Sequence, residues 1–271
     1  MRGRRTRAES LAVYTRNVPP SSPDGLGPAY SRRLDRAIVL AALAHEGQRR
    51  KGTVVPYVTH PFNVSVILDR HGFAADVVVA GVLHDVIEDL DGADDATVAR
   101  IRTIFPSAPE SAQALGPEEY ARAFGAFVAR AFGQPVLDLV LAVTEQKTRD
   151  GVPVPWRARK EERLAAMRTA SENALGLKGA DLLHNMRSIL NDASEIGPAV
   201  FARFKASPAE TAWFYSEATA LVLGRLGPHT LAAELEAVAR EFTAMMERLG
   251  DPEKSDAAGS AAGRRDEERE T

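Results

Sequence analysis

Residues 83–89 bring one imidazole and three carboxylates together directly after a stretch without polar side chains. On a helix, His84 and Glu88 lie four residues apart and are therefore neighbours on one side. The same spacing relates Asp85 to Asp89. Carboxylates crowded at the end of a buried helix repel one another, and leaving them unpaired costs on the order of several kcal/mol. Because a bound cation relieves that cost, the pattern predicts a metal site.

A second polar pattern lies within residues 173–190, which are otherwise largely apolar and are predicted to be helical. Asp181, Asn185 and Ser188 stand at positions i, i+4 and i+7 and form one polar stripe on that helix. Polar groups on a core helix need polar partners, so the stripe is expected to face another polar element. Residues 84–89 are the natural candidate.

Helical periodicity in the preceding chain provides elements that position these groups. A helix is predicted from Ser31, a suitable N-cap, to about Gln48, with an apolar stripe of Leu34, Ile38, Ala41, Ala42 and His45. His45 is either a hydrogen-bonded core histidine or part of the site. Pro61 suits the first turn of the next helix, which places His60 at its start.

The motif itself is predicted to lie on one buried helix over residues 74–88. Gly81 in that helix indicates close packing against a neighbour rather than a break. The same periodicity predicts further helices at residues 95–105, 117–131, 135–147, 156–169, 208–223 and 229–249.

Composition favours an all-α protein, because the 271 residues include only 6% aromatics and the apolar segments follow a helical period. The absence of cysteine excludes disulfides and thiolate ligands and fits a cytoplasmic location. The net charge is −3, and neither a basic face nor a membrane-spanning apolar run is present. We therefore expect neither nucleic acid nor a membrane as a partner. The oligomeric state stays open at this point.

Domain organisation follows from the polar ends of the chain. Residues 1–29, rich in arginine and proline, are predicted to be a disordered arm, and residues 251–271 a disordered tail. Residues 30–250 are expected to form one domain, within which residues 91–133 are a candidate variable insertion.

Cationic side chains near the predicted helices are candidates for holding an anionic ligand. Arg50 and Lys51 lie in a loop just before His60. Arg159 and Lys160 lie at the start of a predicted helix, where positive charge opposes the helix dipole. Such charges form either a solvated face or a phosphate-binding patch, and the residues alone leave both interpretations open.

Four segments of the chain resemble the hydrolase domain of RelA/SpoT proteins, namely residues 44–51, 56–61, 83–89 and 180–187. Within them, His60, the pair His84-Asp85 and then Asp181 follow the H…HD…D order of the HD superfamily of metal-dependent phosphohydrolases. The similarity covers about residues 31–225, and the chain resembles the stand-alone small alarmone hydrolases. The resemblance implies an all-helical bundle with a single metal site.

The resemblance also assigns roles to residues. It implies one Mn²⁺ bound by His60, His84, Asp85 and Asp181, although ligand chemistry alone also suits Fe²⁺ or Zn²⁺. It implies general acid–base work by Glu88 and Asp89. Positions that hold the guanine ring and phosphates match Arg50 and Lys51. Positions that contact the ribose and its phosphates match Asn185 and Ser188. Weaker candidates for distal phosphate contacts are Lys147, Arg159 and Lys160.

The implied reaction is hydrolysis of the 3′-pyrophosphate of ppGpp or pppGpp to GDP or GTP and pyrophosphate. Three departures bear on substrate choice. The loop before His60 is one residue longer and carries the apolar Thr53-Val54-Val55, Leu182 stands where the family usually has a cation, and the insertion at about residues 91–133 is long and is expected to reshape the rim of the pocket. The alternatives are therefore an HD-family phosphatase acting on another nucleotide such as NADPH, and a non-catalytic nucleotide sensor.

Overall fold

A computed structural model of the protein describes residues 31–89, 94–110, 115–149 and 152–250. The chain divides into two compact units, Met1–Asp150 and Gly151–Thr271, and each has its own helical core. The predicted disordered arm at residues 1–29 and tail at residues 251–271 lie outside the described residues, so both stay predictions.

The described helices of the first unit run, in chain order, α1 (Arg32–Ala44), α2 (Thr59–Arg70), α3 (Ala75–Leu83), α4 (Val86–Asp89), α5 (Asp95–Ile104), α6 (Pro117–Phe132) and α7 (Gln134–Val143). A two-residue strand, β1 (Thr148–Arg149), follows α7. The apolar α3 is buried along its length and packs against α1, α2 and α7. It is therefore the central element of this unit.

Helix α1 begins where the sequence predicts, because the Ser31 side chain accepts a hydrogen bond from the Leu34 amide. The predicted apolar stripe is partly wrong. The buried face consists of Ala37, Leu40, Ala41 and Ala44, and His45 is buried directly after the helix. Ala42 is exposed. The small alanines allow α1 to pack against α3, so the neighbouring helix decides which face is covered.

The prediction of one helix over residues 74–88 is wrong. Helix α3 ends at Leu83, and the one-turn α4 begins at Val86. The ring Nδ1 of His84 lies 2.9 Å from the carbonyl oxygen of Gly81. In a continuous helix that carbonyl would accept the amide of Asp85, so the imidazole competes with the helix for it.

Gly81 does mark close packing, as predicted. A Cβ atom at this position would lie 2.7 Å from Leu68 Cδ1 and 3.2 Å from Ser65 Cα, both on α2. A side chain at position 81 would therefore require Leu68 and the backbone at Ser65 to shift, so α2 and α3 pack closely here.

The segment proposed as an insertion contributes α5 and α6, close to the two helices predicted there. Their aromatic side chains pack together, with ring centroids 5.3–6.5 Å apart among Phe105, Tyr120, Phe124, Phe127 and Phe132. This part of the chain is thus integrated in the core of the first unit. Whether it varies among relatives stays a prediction.

The second unit opens with a two-residue strand, β2 (Val152–Pro153), followed by α8 (Trp156–Thr169), α9 (Glu172–Ile196), a 3₁₀ segment (Gly197–Arg203), α10 (Pro208–Leu226) and α11 (Thr230–Gly250). Helix α9 packs against α10 and α11. Ser207 and Glu210 form a capping box at the start of α10. The all-α prediction is confirmed. Within the described residues, no helix combines the length and apolarity that crossing a membrane requires.

Candidate metal and acid–base site

Three predicted metal ligands converge in the first unit. The ligand atoms of His60, His84 and Asp85 all lie within 4.8 Å of one another. His84 Nε2 is 3.2 Å and His60 Nε2 is 3.7 Å from the same oxygen, Asp85 Oδ2. His60 and His84 are 2% and 4% exposed, respectively, so both imidazoles are buried, whereas the Asp85 side chain is 17% exposed.

Helix packing sets this geometry. His60 lies in the first turn of α2, where Pro61 can occupy a position that needs no amide donor. His84 and Asp85 follow the last residue of α3. Since α2 and α3 touch at Gly81, the start of one helix and the end of the other hold the two imidazoles, whose ring centroids are 5.2 Å apart.

The donor set fits a divalent transition metal. A proton on His84 Nδ1 is donated to the Gly81 carbonyl, which leaves a lone pair on Nε2, the nitrogen that faces Asp85. Two imidazole nitrogens and a carboxylate oxygen suit Mn²⁺, Fe²⁺ or Zn²⁺. The His60–His84–Asp85 cluster can therefore hold a divalent metal ion.

Tyr57 contacts this cluster from the loop before α2. Its hydroxyl donates a hydrogen bond of 2.6 Å to Asp85 Oδ2, the oxygen that faces both imidazoles. Its ring lies 4.9 Å from the His45 ring and 5.9 Å from the His60 ring, measured between centroids. The sequence analysis did not single out Tyr57. The signal was a tyrosine three residues before His60, since a partly buried tyrosine hydroxyl usually has a partner.

Glu88 and Asp89 lie on α4 and are tied to the segment after α7. The amide of Glu145 donates to Glu88 Oε2 at 3.0 Å. The ammonium of Lys147 lies 3.2 Å from Glu88 Oε1 and 3.0 Å from Asp89 Oδ1. Lys147, predicted as a distal phosphate contact, thus bridges the two carboxylates in this structure.

The electrostatic environment of Glu88 suits proton transfer. Burial raises the pKa of Glu88 above its ordinary value, and the charge of Asp85 adds to the rise. Lys147 and the Glu145 amide oppose the rise without cancelling it. Lys147 itself has a raised pKa, because the two carboxylates outweigh the effect of its burial. A carboxylate with such a pKa is a better proton acceptor near neutral pH than an ordinary one.

His45 lies between these two groups. Its Nδ1 is 2.9 Å from Gln48 Oε1 and 3.6 Å from Asp89 Oδ2. Its side chain is fully buried, and among the described residues Nε2 has no hydrogen-bond partner. Of the two interpretations left open by the sequence, the structure therefore places His45 at the edge of the site.

The cationic loop is a closed turn. An antiparallel bridge joins Arg49 to Pro56, and the Arg50 amide donates to the Val55 carbonyl at 2.8 Å. Arg50 carries its guanidinium carbon 5.9 Å from the centre of the Tyr57 ring, whereas Lys51 is exposed. The apolar tip faces solvent, since Val54 is 84% exposed. Arg50 is thus brought next to Tyr57, which contacts the His60–His84–Asp85 cluster.

Asp181 lies in the second unit, in the buried part of α9. Lys178 donates to its Oδ2 at 2.7 Å, and the Asn185 amide donates to its Oδ1. Both carboxylate oxygens are therefore held by side chains on the same helix. Asn185, predicted to contact the ribose, bonds to Asp181 here. Lys178 was not predicted, although its place three residues before Asp181 is a contact spacing on a helix.

The remaining predicted binding residues also lie in the second unit. Ser188 is partly buried on α9, one turn after Asn185. Arg159 and Lys160 lie in the first turns of α8, and the Lys160 ammonium is 4.7 Å from the centre of the Phe214 ring. That contact stabilises the cation over an aromatic face. Their roles toward a ligand stay predictions.

Comparison with known proteins supports this interpretation of the cluster. The model of an HD domain family matches residues 37–108, which include His60, His84 and Asp85. A GTP pyrophosphokinase of Streptomyces coelicolor is 30% identical over 159 residues, 58% of this chain. The chain spans only 15% of that protein's length.

Two further comparisons involve proteins of more similar size. The Drosophila melanogaster guanosine-3′,5′-bis(diphosphate) 3′-pyrophosphohydrolase MESH1 is 28% identical over 162 residues, covering 59% of this chain and 70% of that protein. The structure of a metazoan SpoT orthologue, described as hydrolysing ppGpp, matches with a TM-score of 0.55 and 23% identity. The structural match covers 79% of this chain and 97% of the SpoT orthologue's chain, so the two proteins share a fold. The resemblance stated from the sequence is confirmed.

Proposed function

Because the chain carries an HD domain and resembles the RelA/SpoT-type hydrolases, we propose that it hydrolyses the 3′-pyrophosphate of ppGpp and pppGpp. The products are GDP or GTP and pyrophosphate. The observation that carries this proposal is the convergence of His60, His84 and Asp85, with the pair Glu88 and Asp89 directly after them. Relatives named for this reaction support the choice of substrate.

We propose Mn²⁺ as the bound ion, with Asp181 as a fourth ligand, as the resemblance implies. The three first-unit ligands and one more carboxylate form a set that Mn²⁺ accepts, although the same set also suits Fe²⁺ or Zn²⁺. A divalent ion at this cluster would supply Lewis acidity and would lower the pKa of the attacking water.

The chemistry requires two proton transfers. Water attacks the phosphorus joined to the ribose O3′, the new P–O bond forms, and the P–O3′ bond breaks. The water loses a proton, and O3′ gains one as it leaves. Glu88, with its raised pKa, accepts the proton from water. Asp89, held by Lys147, orients the water and relays the proton that Glu88 has accepted to the leaving oxygen O3′.

Substrate binding in the first unit is assigned to the cationic loop. Arg50 stacks on the guanine ring and Lys51 attracts the phosphates, as the resemblance implies. The closed turn supports this role because its backbone hydrogen bonds reduce the freedom lost on binding. Asn185 and Ser188 are proposed for the ribose and its phosphates. For distal phosphates, the proposed contacts are Lys147, Arg159 and Lys160.

The test is an assay of the purified protein with ppGpp, pppGpp, NADPH and GTP, each with Mn²⁺ and with a chelator. We expect Mn²⁺-dependent release of pyrophosphate from the first two substrates. In ¹⁸O-labelled water the label should enter pyrophosphate, since water attacks phosphorus and the ribose oxygen leaves. His84→Ala, which removes a cluster ligand, serves as the matched inactive control.

Each other outcome has a definite meaning. If the protein hydrolyses NADPH but not ppGpp, it is a metal-dependent phosphatase and the alarmone is rejected as its substrate. The protein could also bind both Mn²⁺ and ppGpp and turn over no substrate. That result would reject the hydrolase and favour the non-catalytic nucleotide sensor. Equal activity of His84→Ala and the wild type would reject the cluster as the catalytic centre.

A further inference from the structure

We infer that Tyr57 is a positioning residue of the metal site, where its hydroxyl fixes the Asp85 carboxylate in the orientation that binds the ion. The hydroxyl bonds to the one oxygen of Asp85 that faces both imidazoles. The inference rests on the metal-binding part of the proposed function and deepens it.

The length of this contact indicates a strong hydrogen bond. The distance of 2.6 Å falls in the range of a hydroxyl bonded to an ionised carboxylate. The χ2 torsion of an aspartate is soft and roughly two-fold. A carboxylate without a fixed partner therefore rotates about the Cβ–Cγ bond and can present either oxygen to the ion. A hydroxyl fixed on one oxygen selects one rotational state. Outer partners of this kind commonly orient ligands and tune affinity at protein metal sites.

Tyr57 is suited to this work because its own position is fixed. Its amide donates to the Gln48 carbonyl at 3.0 Å, just after α1. Its ring is packed between the buried rings of His45 and His60. The hydroxyl is therefore held by two elements, the end of α1 and the start of α2, neither of which carries Asp85.

The same ring faces the cationic loop. The Arg50 guanidinium lies 5.9 Å from the Tyr57 ring centre, within the range of a cation–π contact. One side chain thus contacts both a metal ligand and the residue assigned to the guanine ring.

The test is Tyr57→Phe, which keeps the ring and removes only the hydroxyl. Mn²⁺ affinity of the metal-free protein is measured by isothermal titration and by the electron paramagnetic resonance signal of free Mn²⁺. We expect a loss of affinity of about 10- to 100-fold in a protein that still unfolds in one cooperative thermal transition. Tyr120→Phe, in the aromatic cluster of the same unit, is the matched control and should bind Mn²⁺ like the wild type.

A second readout separates positioning from a purely structural role. Hydrolysis by Tyr57→Phe should recover as the Mn²⁺ concentration is raised, because the defect lies in ion occupancy. A defect that excess Mn²⁺ does not reduce, or wild-type Mn²⁺ affinity in Tyr57→Phe, overturns the inference while leaving the hydrolase intact. The wild type could also bind Mn²⁺ and cleave no alarmone. A loss of Mn²⁺ affinity in Tyr57→Phe would then support the inference and reject the proposed substrate. A wild type that binds no Mn²⁺ overturns both.

Discussion

The His60–His84–Asp85 cluster and the carboxylate pair Glu88 and Asp89 both depend on residues 84–89, yet they are positioned by different forces. His60 and His84 are buried, and the direct contact of α2 with α3 at Gly81 fixes them. Glu88 and Asp89 lie on a single helical turn and are held by polar contacts from residues 145–147. Apolar packing sets the first group, and hydrogen bonds and charge set the second.

This difference separates two kinds of failure. Close-packed helices transmit strain, so a substitution at the contact of α2 with α3 should move the ligands and abolish binding of the ion. The contacts of residues 145–147 with Glu88 and Asp89, here called the polar tether, can be removed without moving the helices. A substitution in the polar tether should therefore leave the ion bound and slow turnover. Four substitutions test this separation, from the largest expected effect to the smallest.

Asp181→Asn tests whether the first-unit cluster is sufficient for the ion. The asparagine keeps the shape and removes the charge, so we expect loss of detectable Mn²⁺ binding and of hydrolysis if Asp181 is the fourth ligand. Metal content of the purified variant and a Mn²⁺ titration provide the measurement. Asp192→Asn, on the same helix and paired with Arg203, is the control. Full Mn²⁺ binding in Asp181→Asn would confine the metal site to the first unit.

Glu88→Gln separates proton transfer from metal binding. The amide oxygen can still accept from the Glu145 amide, but the side chain no longer accepts a proton. We expect kcat to fall about 10²- to 10⁴-fold with Mn²⁺ affinity unchanged. Glu110→Gln, at an exposed position, controls for the charge change. Retention of wild-type kcat would remove Glu88 from the mechanism.

Arg50→Ala tests the assignment of the guanine contact. Loss of one stacked cation should raise the KM for ppGpp about tenfold while kcat and Mn²⁺ affinity change little. Steady-state kinetics at saturating Mn²⁺ gives both constants. Arg70→Ala, at the far end of α2, is the control substitution. An unchanged KM would place base recognition elsewhere.

Lys147→Met cuts the polar tether alone. Because Lys147 lowers the pKa of Glu88, its removal raises that pKa further. A general base works deprotonated, so the acidic limb of the kcat profile should move to higher pH. The lysine is 43% exposed, and such an ion pair contributes about 1 kcal/mol at most, so kcat near neutral pH should fall about fivefold.

The pH profile also distinguishes the two roles of this lysine. Lys147→Arg, which keeps the charge, should restore most of the wild-type profile. If Lys147 binds a distal phosphate instead, KM for ppGpp rises and the acidic limb stays in place.

Local signals in the sequence predicted much of the fold. Ser31 as an N-cap and the charged helix from Trp156 to Thr169 both match the structure, because capping and helical period depend on nearby residues. The order of histidines and aspartates predicted the His60–His84–Asp85 cluster. The cap and the helical period are encoded in a few adjacent turns, whereas the cluster was predicted from the order of residues on two successive helices.

The features that the sequence did not predict depend on distant partners. At the break after Leu83, the His84 ring bonds to the Gly81 carbonyl, a contact that no periodicity predicts. The partner of Lys147 lies 58 residues earlier in the chain, at Asp89. The buried face of α1 follows from the helix packed against it. Periodicity carries no information about such pairings, so only the folded chain shows them.

The glycine where α2 meets α3 has a consequence for anyone who transplants or redesigns this site. Grafting only the histidines and aspartates onto another helix pair would not reproduce this close packing, because a Cβ at position 81 would lie 3.2 Å from Ser65 Cα and 2.7 Å from Leu68 Cδ1 and would require both to shift. The smallest portable version of the cluster therefore includes Gly81, with Ser65 and Leu68 shaped to receive it. A design that transfers this site must therefore reproduce the distance between the two helix backbones as well as the ligand residues.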